Sequence, residues 1–358
     1  MNNSLIPPYI LDRIIGHGSD RQRDCARNTL QHVSTLRRNN DKPRLSTLQA
    51  RQVMAAGQAE RSIHDAEQQT RLPGRLVRGE GQPASGDEAV DEAYEALGAT
   101  YRFFWEVLGR HSIDANGIPL IGTVHYGQRY ENAFWNGEQM VFGDGDGEIF
   151  NRFTIALDVV AHELTHGVID SEAALVYANQ AGALNESLSD VFGILTKQYA
   201  LQQSAAQADW IIGAGLLSEY VNGKGLRSMS EPGSAYDDPL LGKDPQPGHM
   251  RDFVQTREDN GGVHINSGIP NRAFYLAAIA LGGNAWEKAG LIWYDTLCDE
   301  RLANDAEFVD FARLSVERAA QRFGQGSPEV DAVAKAWSDV GIAVSYTHLR
   351  AHETREDL

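Results

Sequence analysis

The segment that most constrains this chain is His162-Glu163-Leu164-Thr165-His166, followed twenty residues later by Glu186. Histidines at i and i+4 project from the same face of a helix, so both imidazoles can reach one metal ion. Two imidazoles and one carboxylate suit Zn²⁺, with water in the fourth position. Glu163 follows the first histidine directly and is placed to act as a general base toward that water. The spacing therefore predicts a helix-borne zinc site.

A second segment strengthens this interpretation, because the five-residue motif alone also occurs on ordinary surface helices. Asn185-Glu186-Ser187-Leu188-Ser189-Asp190 again places two acidic residues four apart. Glu186 is the predicted third ligand. Asp190 is placed to accept the free N–H of a liganding histidine and to set its tautomer. The two segments together favour a metal centre over two unrelated surface helices.

Further motifs resemble those of the thermolysin-like neutral metalloproteases, and the protealysin branch most closely. They are Asn132-Ala133-Phe134-Trp135, Gly182-Ala183-Leu184-Asn185-Glu186, Arg227-Ser228-Met229-Ser230 and the segment 259–268. The resemblance runs from about Ile6 to about Val344. It implies an α+β fold of two lobes, with a β-rich N-terminal lobe and a helical C-terminal lobe. The zinc helix would lie between them at the floor of a cleft.

The resemblance also implies a role for each matching residue in a zinc-dependent endopeptidase. One catalytic Zn²⁺ would be bound by His162, His166 and Glu186, with Glu163 as the general base. The charge that develops on the scissile carbonyl would be stabilised by Tyr177 and His264, the latter oriented by Asp259. The peptide backbone would be bound by Asn132, Ala133 and Trp135, and a substrate carbonyl by Arg227. A pocket formed by Phe150, Phe153, Val159, Ile212 and Leu226 would favour cleavage before large hydrophobic residues.

Two other classes of function compete with this prediction. A zinc amidase acting on non-peptide substrates could share the zinc motif, but the Asn132 segment favours binding of an extended peptide. An inactive homologue that only binds proteins would be expected if Glu163 or a metal ligand were replaced. All of them are present in this sequence.

Changes in composition divide the chain into four segments. Residues 1–50 are predicted to be an autoinhibitory propeptide with a cleavable linker, maturation falling at roughly residues 40–60. Pro7-Pro8-Tyr9 resembles the short propeptides of the protealysin branch and is the expected plug of the cleft. Cys25 could instead cap the zinc. Residues 51–172 form the N-terminal catalytic lobe with the zinc helix, 173–344 the helical lobe, and 345–358 a tail of non-native character.

Composition limits the partners and the location of the protein. The net charge of −17 argues against nucleic acid as a partner. No apolar run is long enough to span a membrane. The N-terminus lacks the basic and apolar regions of a secretory signal, so cytoplasmic synthesis is expected, with secretion by a leaderless route as the alternative. Peptide and protein substrates, and the protein's own propeptide in cis, are the expected partners.

The sequence also predicts how this chain departs from calcium-dependent relatives. Asp158 and Asp209 match two calcium-binding positions of the family, but Lys197 stands where the family has a ligating glutamate. Ile211 and Ala214 replace two further acids. Because Ca²⁺ takes about six to eight oxygen ligands, no double calcium site is expected, and Lys197 should pair with Asp158 or Asp209. Gly143-Asp144-Gly145-Asp146-Gly147 is expected to be a tight turn rather than a calcium loop.

Overall fold

The computed structural model describes residues 3–40 and 56–344 of the 358-residue chain. Within these ranges the protein has the predicted α+β fold, with a β-rich N-terminal lobe and a helical C-terminal lobe. The predicted tail, residues 345–358, lies outside the described residues, as does most of the predicted cleavage linker. No helix in the described ranges combines the length and the apolar character that crossing a bilayer requires.

The N-terminal segment contributes one short strand and two helices. These are β1 (Asn3–Ser4), α1 (Pro8–His17) and α2 (Asp20–Asn40). Pro8 stands in the first turn of α1, where proline's fixed φ suits a helix and its missing N–H is not required. Ile10, Leu11 and Ile14 bury one face of α1, so this segment packs on the protein rather than standing apart from it.

The N-terminal lobe is built on a mixed sheet that also includes β1. Its elements are β2 (Arg61–Asp65), β3 (Arg75–Gly79), α3 (Glu88–Leu108), β4 (Leu120–Val124), β5 (Ala133–Trp135), β6 (Met140–Phe142) and α4 (Leu157–Glu172). The strand order is β1-β5-β6-β4-β2-β3. β1 and β3 form the edges, and β1 pairs antiparallel with β5. The strand predicted to bind substrate therefore lies next to the N-terminal segment.

Apolar residues at helical spacing predict a helix over residues 87–110, and α3 confirms it. A side chain sets its first residue. The Asp87 carboxylate accepts hydrogen bonds from the N–H groups of Ala89 and Val90, the usual way an aspartate caps a helix. Gly109, with φ of 66°, ends the helix in the left-handed region. The apolar stripe of α3 faces the sheet and α4, so α3 packs against the helix that carries His162 and His166.

The C-terminal lobe contains six helices and two short hairpins among the described residues. Its elements are α5 (Asn179–Leu201), β7 (Ile211–Ile212), β8 (Arg227–Ser228), β9 (Asp237–Asp238), β10 (Gly242–Lys243), a 3-10 turn (Met250–Asp252), α6 (Asp259–Asn266), α7 (Gly268–Leu281), α8 (Ala289–Leu297), α9 (Phe308–Phe323) and α10 (Pro328–Asp339). The Pro-, Gly- and Asp-rich composition from Ser228 to Gly262 predicts one long loop, but β9, β10 and the 3-10 turn lie inside it. Trp293 and Trp337 stack with centroids 5.9 Å apart in the centre of this lobe.

Helices α4 and α5 pack closely, and a glycine makes this possible. A Cβ on Gly193 would lie 2.6 Å from the carbonyl oxygen of Asp158 and 3.4 Å from the Cβ of His162. Any other residue would therefore push the two helices apart. This close packing sets the distance between the histidines on α4 and the acidic residues on α5.

Candidate active site

The structure brings the three predicted zinc ligands together in the interior. One ligand atom from each of His162, His166 and Glu186 lies within 4.8 Å of the others, and all three residues are buried. The two histidines come from one face of α4, and Glu186 reaches them from α5. The three residues predicted from the helical spacing therefore direct their ligand atoms to one site.

The hydrogen bonds of the two imidazoles determine which ring nitrogens are available to bind a metal ion. The Nδ1 of His162 donates to Asp190 Oδ1 at 2.8 Å, and that of His166 donates to Asn185 Oδ1 at 2.7 Å. Carboxylate and amide oxygens only accept, so Nδ1 carries the proton in each ring and Nε2 presents a lone pair. The two Nε2 atoms face each other at 3.2 Å.

Two facing lone pairs repel each other unless a cation or a shared proton lies between them. Two nitrogens bound to one tetrahedral Zn²⁺ at about 2.0–2.1 Å lie about 3.3 Å apart, close to the observed separation of the Nε2 atoms. Glu186 Oε2 and Glu163 Oε1 are buried without a hydrogen-bond partner among the described residues. A cation would satisfy the carboxylate of Glu186, so the donor set fits zinc in its number, chemistry and geometry.

Glu163 lies between this centre and strand β5. Its Oε2 accepts a hydrogen bond from the backbone N–H of Trp135 at 3.1 Å. Burial raises the pKa of the Glu163 carboxyl to about 8. A cation bound beside it would lower that value. One oxygen of the side chain is therefore held by β5, while the other, Oε1, is buried and free to accept a proton.

Tyr177 and His264 both lie next to Oε1 of Glu186. The Tyr177 hydroxyl donates to Glu186 Oε1 and lies 3.2 Å from Nε2 of His264. The Nδ1 of His264 donates to Asp259 Oδ1 at 2.7 Å, while its backbone N–H donates to Asp259 Oδ2 at 2.8 Å. Asp259 thus fixes the ring of His264 and turns its Nε2 toward the cluster.

A kink at the start of α6 makes the contact between Asp259 and His264. Residues Asn260, Gly261 and Gly262 all have positive φ. A Cβ on Gly261 would lie 2.4 Å from Asn179 Oδ1, so only glycine fits there. This turn folds the Asp259 side chain back onto the residue five positions later, which an unbroken helix would not allow.

Asp190 connects the metal centre to the C-terminal lobe. Arg227 Nε and Nη2 donate to the two oxygens of Asp190 at 2.8 and 2.7 Å, and Asn271 Nδ2 donates to Oδ2 at 2.8 Å. Burial raises the pKa of Asp190, but the charges of Arg227 and His162 outweigh it and lower the pKa to about 2. The carboxylate that orients His162 is therefore ionised and held from three sides.

Sequence reasoning missed Asn271 entirely. It is fully buried in α7, and nothing around it in the sequence marks a polar contact with Asp190. The predicted apolar pocket residues are all buried in the main core: Phe150, Phe153, Val159, Ile212 and Leu226. Leu226 and Ile212 are joined by a backbone hydrogen bond of 2.9 Å across the β7–β8 hairpin. Two of the five predicted pocket residues therefore lie at the hairpin that carries Arg227.

The N-terminal segment occupies the cleft beside β5. Asn3 and Ser4 pair with Trp135 and Phe134, and the N–H of Leu5 donates to the carbonyl of Ala133 at 3.2 Å. The N–H of Ile6 donates to Asn132 Oδ1 at 2.9 Å, and Asn132 Nδ2 donates back to the carbonyl of Ile6 at 3.3 Å. Residues 3–6 therefore form an added strand along the predicted substrate-binding residues.

The expected plug, Pro7-Pro8-Tyr9, directly follows this strand. Pro7 and Pro8 begin α1 and turn the chain away from β5. Tyr9 packs against Tyr236 of the helical lobe, where burial raises the pKa of its hydroxyl well above the usual value. The apolar pair Leu5-Ile6 within a polar N-terminus was the signal that could have located the strand. Cys25 lies on α2 near Glu131 and Asp146 rather than at the metal centre.

Lys197 lies between the two aspartates that match calcium-binding positions. Its Nζ is 3.4 Å from Asp158 Oδ2, 3.1 Å from both oxygens of Asp209 and 3.2 Å from the carbonyl of Ile211. Asp158 is 1% exposed. The ammonium group therefore pairs with both aspartates and not with one alone. In the glycine-rich turn, Asp146 Oδ1 accepts N–H bonds from residues 148, 149 and 150, as expected for a tight turn.

Comparisons with known proteins agree with this geometry. Family profiles match residues 3–44 (protealysin propeptide), 33–170 (thermolysin metallopeptidase, catalytic domain) and 173–342 (thermolysin metallopeptidase, alpha-helical domain). An extracellular metalloprotease of Pectobacterium carotovorum is 64% identical over 95% of this chain and 96% of its own length. An extracellular minor metalloprotease of Serratia marcescens is 44% identical over 94% and 93% of the two chains.

A solved structure extends the likeness to three dimensions. The precursor of protealysin, a metalloproteinase from Serratia proteamaculans, superposes with a TM-score of 0.88 at 62% identity. The match covers 95% of this chain and 100% of the other. Sequence, site geometry and fold therefore lead to one conclusion: the chain belongs to the thermolysin family of zinc metallopeptidases and carries a propeptide of the protealysin type.

Proposed function

We propose that this metalloprotease is the precursor of an endopeptidase that cleaves peptide bonds before large hydrophobic residues. The observation that carries the proposal is the convergence of the three ligands, Glu163 and the peptide-binding edge of β5 in one cleft. The pocket residues Phe150, Val159 and Leu226 are apolar and buried. A large apolar side chain entering such a pocket is favoured by about 25 cal/mol per Å² of apolar surface buried.

The site residues have distinct roles in the proposed reaction. Zinc, when bound by His162, His166 and Glu186, polarises the scissile carbonyl and acidifies the attacking water. Glu163 accepts a proton from that water and later returns it to the leaving amine. Asn132, Ala133 and Trp135 hold the peptide as an added strand.

The remaining polar groups stabilise the charge of the transition state. Tyr177 and His264 donate hydrogen bonds to the oxygen on which negative charge develops, and Asp259 keeps the imidazole protonated and oriented. Asp190 positions His162. Arg227 presents its guanidinium beside the cleft for a substrate carbonyl. Its two bonds to Asp190 keep it rigid.

A glutamine in place of Glu163 tests the assignment. Glu163→Gln should keep its zinc, because Glu163 is not a ligand, but lose about 10²–10⁴ in peptidase rate, as expected for removal of a general base. Zinc content by metal analysis and casein cleavage with and without a chelator would be measured on both proteins. A variant that turns over casein at nearly the normal rate would refute the role of Glu163.

The N-terminal segment serves, in this proposal, as an autoinhibitory propeptide. Residues 1–50 would block the cleft and be removed, leaving 51–172 and 173–344 as the two catalytic lobes, with 345–358 outside the native protein. The backbone bonds of residues 3–6 to β5 support this, since they occupy the edge that a substrate needs. In the Glu163→Gln protein the N-terminus should remain intact by mass spectrometry if processing is self-catalysed. Spontaneous trimming of that protein, free of other proteases, would exclude self-processing.

We also propose that the mature enzyme works outside the cell and has no double calcium site. The first point rests on the two relatives that are named extracellular. The second rests on Lys197, whose ammonium group lies between Asp158 and Asp209 where a cation would otherwise bind. Measurement of protease activity in culture medium and in cell lysate tests the first point.

A further inference from the structure

Helix α2 of the N-terminal segment lies over a group of acidic residues outside the metal centre. Arg21, Cys25 and Thr29 are spaced four residues apart and so lie on one face of the helix. Arg21 forms an ion pair of 3.1 Å with Glu148, and Thr29 Oγ1 accepts the backbone N–H of Glu131 at 3.1 Å. This face of the propeptide therefore lies directly over residues 131 and 148 of the N-terminal lobe.

Two carboxyl groups beneath this face have oxygen atoms that no donor reaches among the described residues. Glu131 is fully buried, and neither of its oxygens has a hydrogen-bond partner among the described residues. Asp146 is 7% exposed, and its Oδ2 is likewise unpartnered. Burial and then the nearby charge of Asp146 raise the pKa of Glu131 to about 9. Unpaired buried acceptors destabilise a fold, so stability does not account for these three oxygens, although Asp146 Oδ1 does accept the N–H groups of the turn at residues 148–150.

Their position relates them to the path of a bound peptide. The added strand runs antiparallel to β5, from Asn3 opposite Trp135 to Ile6 beside Asn132. A peptide that continued in the same extended line would pass next to Glu131. The propeptide leaves that line, because Pro7 and Pro8 turn it into α1. A substrate without this turn would reach the acidic pair.

We propose that Glu131 and Asp146 form an acidic subsite once the propeptide has been removed. This subsite accepts the guanidinium or ammonium group of an arginine or lysine within three residues C-terminal to the position that Ile6 occupies. The proposal rests on the peptidase function and adds a basic preference to its apolar one. Departure of α2 admits water to Glu131, whose carboxyl group then ionises. A cationic side chain supplies the donors that the unpartnered oxygens of Glu131 and Asp146 lack.

Two peptides that differ only in charge test the subsite. One carries arginine within the stated window, and the other carries citrulline, which has nearly the same shape but no charge. The mature enzyme, with the propeptide removed, should cleave the arginine peptide with a kcat/KM about tenfold higher or more, as for a charge-assisted hydrogen bond in a partly dry site. The preference should weaken as salt is added.

Glu131→Gln should bring the ratio of the two kcat/KM values close to one. The matched control is Glu148→Gln, which removes an exposed carboxylate from the same surface and should leave the ratio as in the wild type. A purely structural role of Glu131 would slow both peptides equally and keep the ratio. Equal cleavage of the two peptides by the wild-type enzyme would overturn the subsite while leaving the peptidase function intact, and this measurement does not depend on any variant folding.

Discussion

Replacement of Lys197 offers the sharpest test of how this chain is stabilised without the family's calcium ions. The ammonium group contacts Asp158, Asp209 and the carbonyl of Ile211 within 3.1–3.4 Å. Asp158 is buried and keeps two backbone donors, the N–H groups of Val159 and Gly213. Lys197→Met retains the apolar stem but removes the charge, so it isolates the ion pair from the packing.

The structure sets the expected size of the effect. Removing one partner of a fully buried ion pair costs about 3–5 kcal/mol. Here the two remaining N–H donors partly solvate Asp158, and the pair with Asp209 contributes little because that carboxylate is half exposed. We therefore expect the free energy of unfolding to fall by about 2–4 kcal/mol at pH 7.

The assay is denaturant unfolding or calorimetry in a Glu163→Gln background, which prevents self-digestion. Burial raises the pKa of Asp158, and loss of Lys197 would raise it further. The deficit should therefore be full at neutral pH and shrink as pH falls and Asp158 takes up a proton. A calcium-selective chelator should leave the melting temperature of the parent protein unchanged. A Lys197→Met protein with the same free energy of unfolding as the parent, or a large drop in the parent's melting temperature on calcium removal, would refute the reasoning.

Three further predictions concern pH and the propeptide. The hydrogen bond with Asp144 raises the pKa of His125 to about 9, so the charged imidazole stabilises the fold fully below about pH 6.5, and this stabilisation is lost as pH rises through 9. His125→Gln should lower the free energy of unfolding by about 1–2 kcal/mol at pH 6 and by little at pH 10, as measured by thermal unfolding. Inhibition of the mature enzyme by added propeptide should weaken by up to about tenfold per pH unit from pH 7 to 9, because Glu131 must hold a proton beneath α2. Glu131→Gln should make the inhibition constant nearly independent of pH in this range, and a slope equal to that of the wild type would contradict this role of Glu131. Ile6→Pro removes the N–H that donates to Asn132 and should weaken inhibition about 3- to 10-fold, the value of one hydrogen bond; an unaltered inhibition constant would show that this contact contributes nothing.

The amino-acid sequence was sufficient for the metal centre because its information is local. Histidines four apart on α4, and Glu186 and Asp190 four apart on α5, must share a face wherever those helices form. The same local logic located α3 through its apolar stripe, while the Asp87 cap was seen only in the structure. The resemblance in several motifs was enough for the family and the two-lobed fold.

Only the tertiary structure decided which distant groups meet. Asn132 contacts Ile6 across 126 positions of the chain, and Asn271 contacts Asp190 across 81. Lys197 could pair with either aspartate in the sequence, and packing placed it between both. The backbone N–H of Glu131 donates to Thr29 of α2 across 102 positions, a contact that no pattern near Glu131 reveals. Periodicity reports which face of a helix or strand is apolar, but the partner of that face is set by how the whole chain packs.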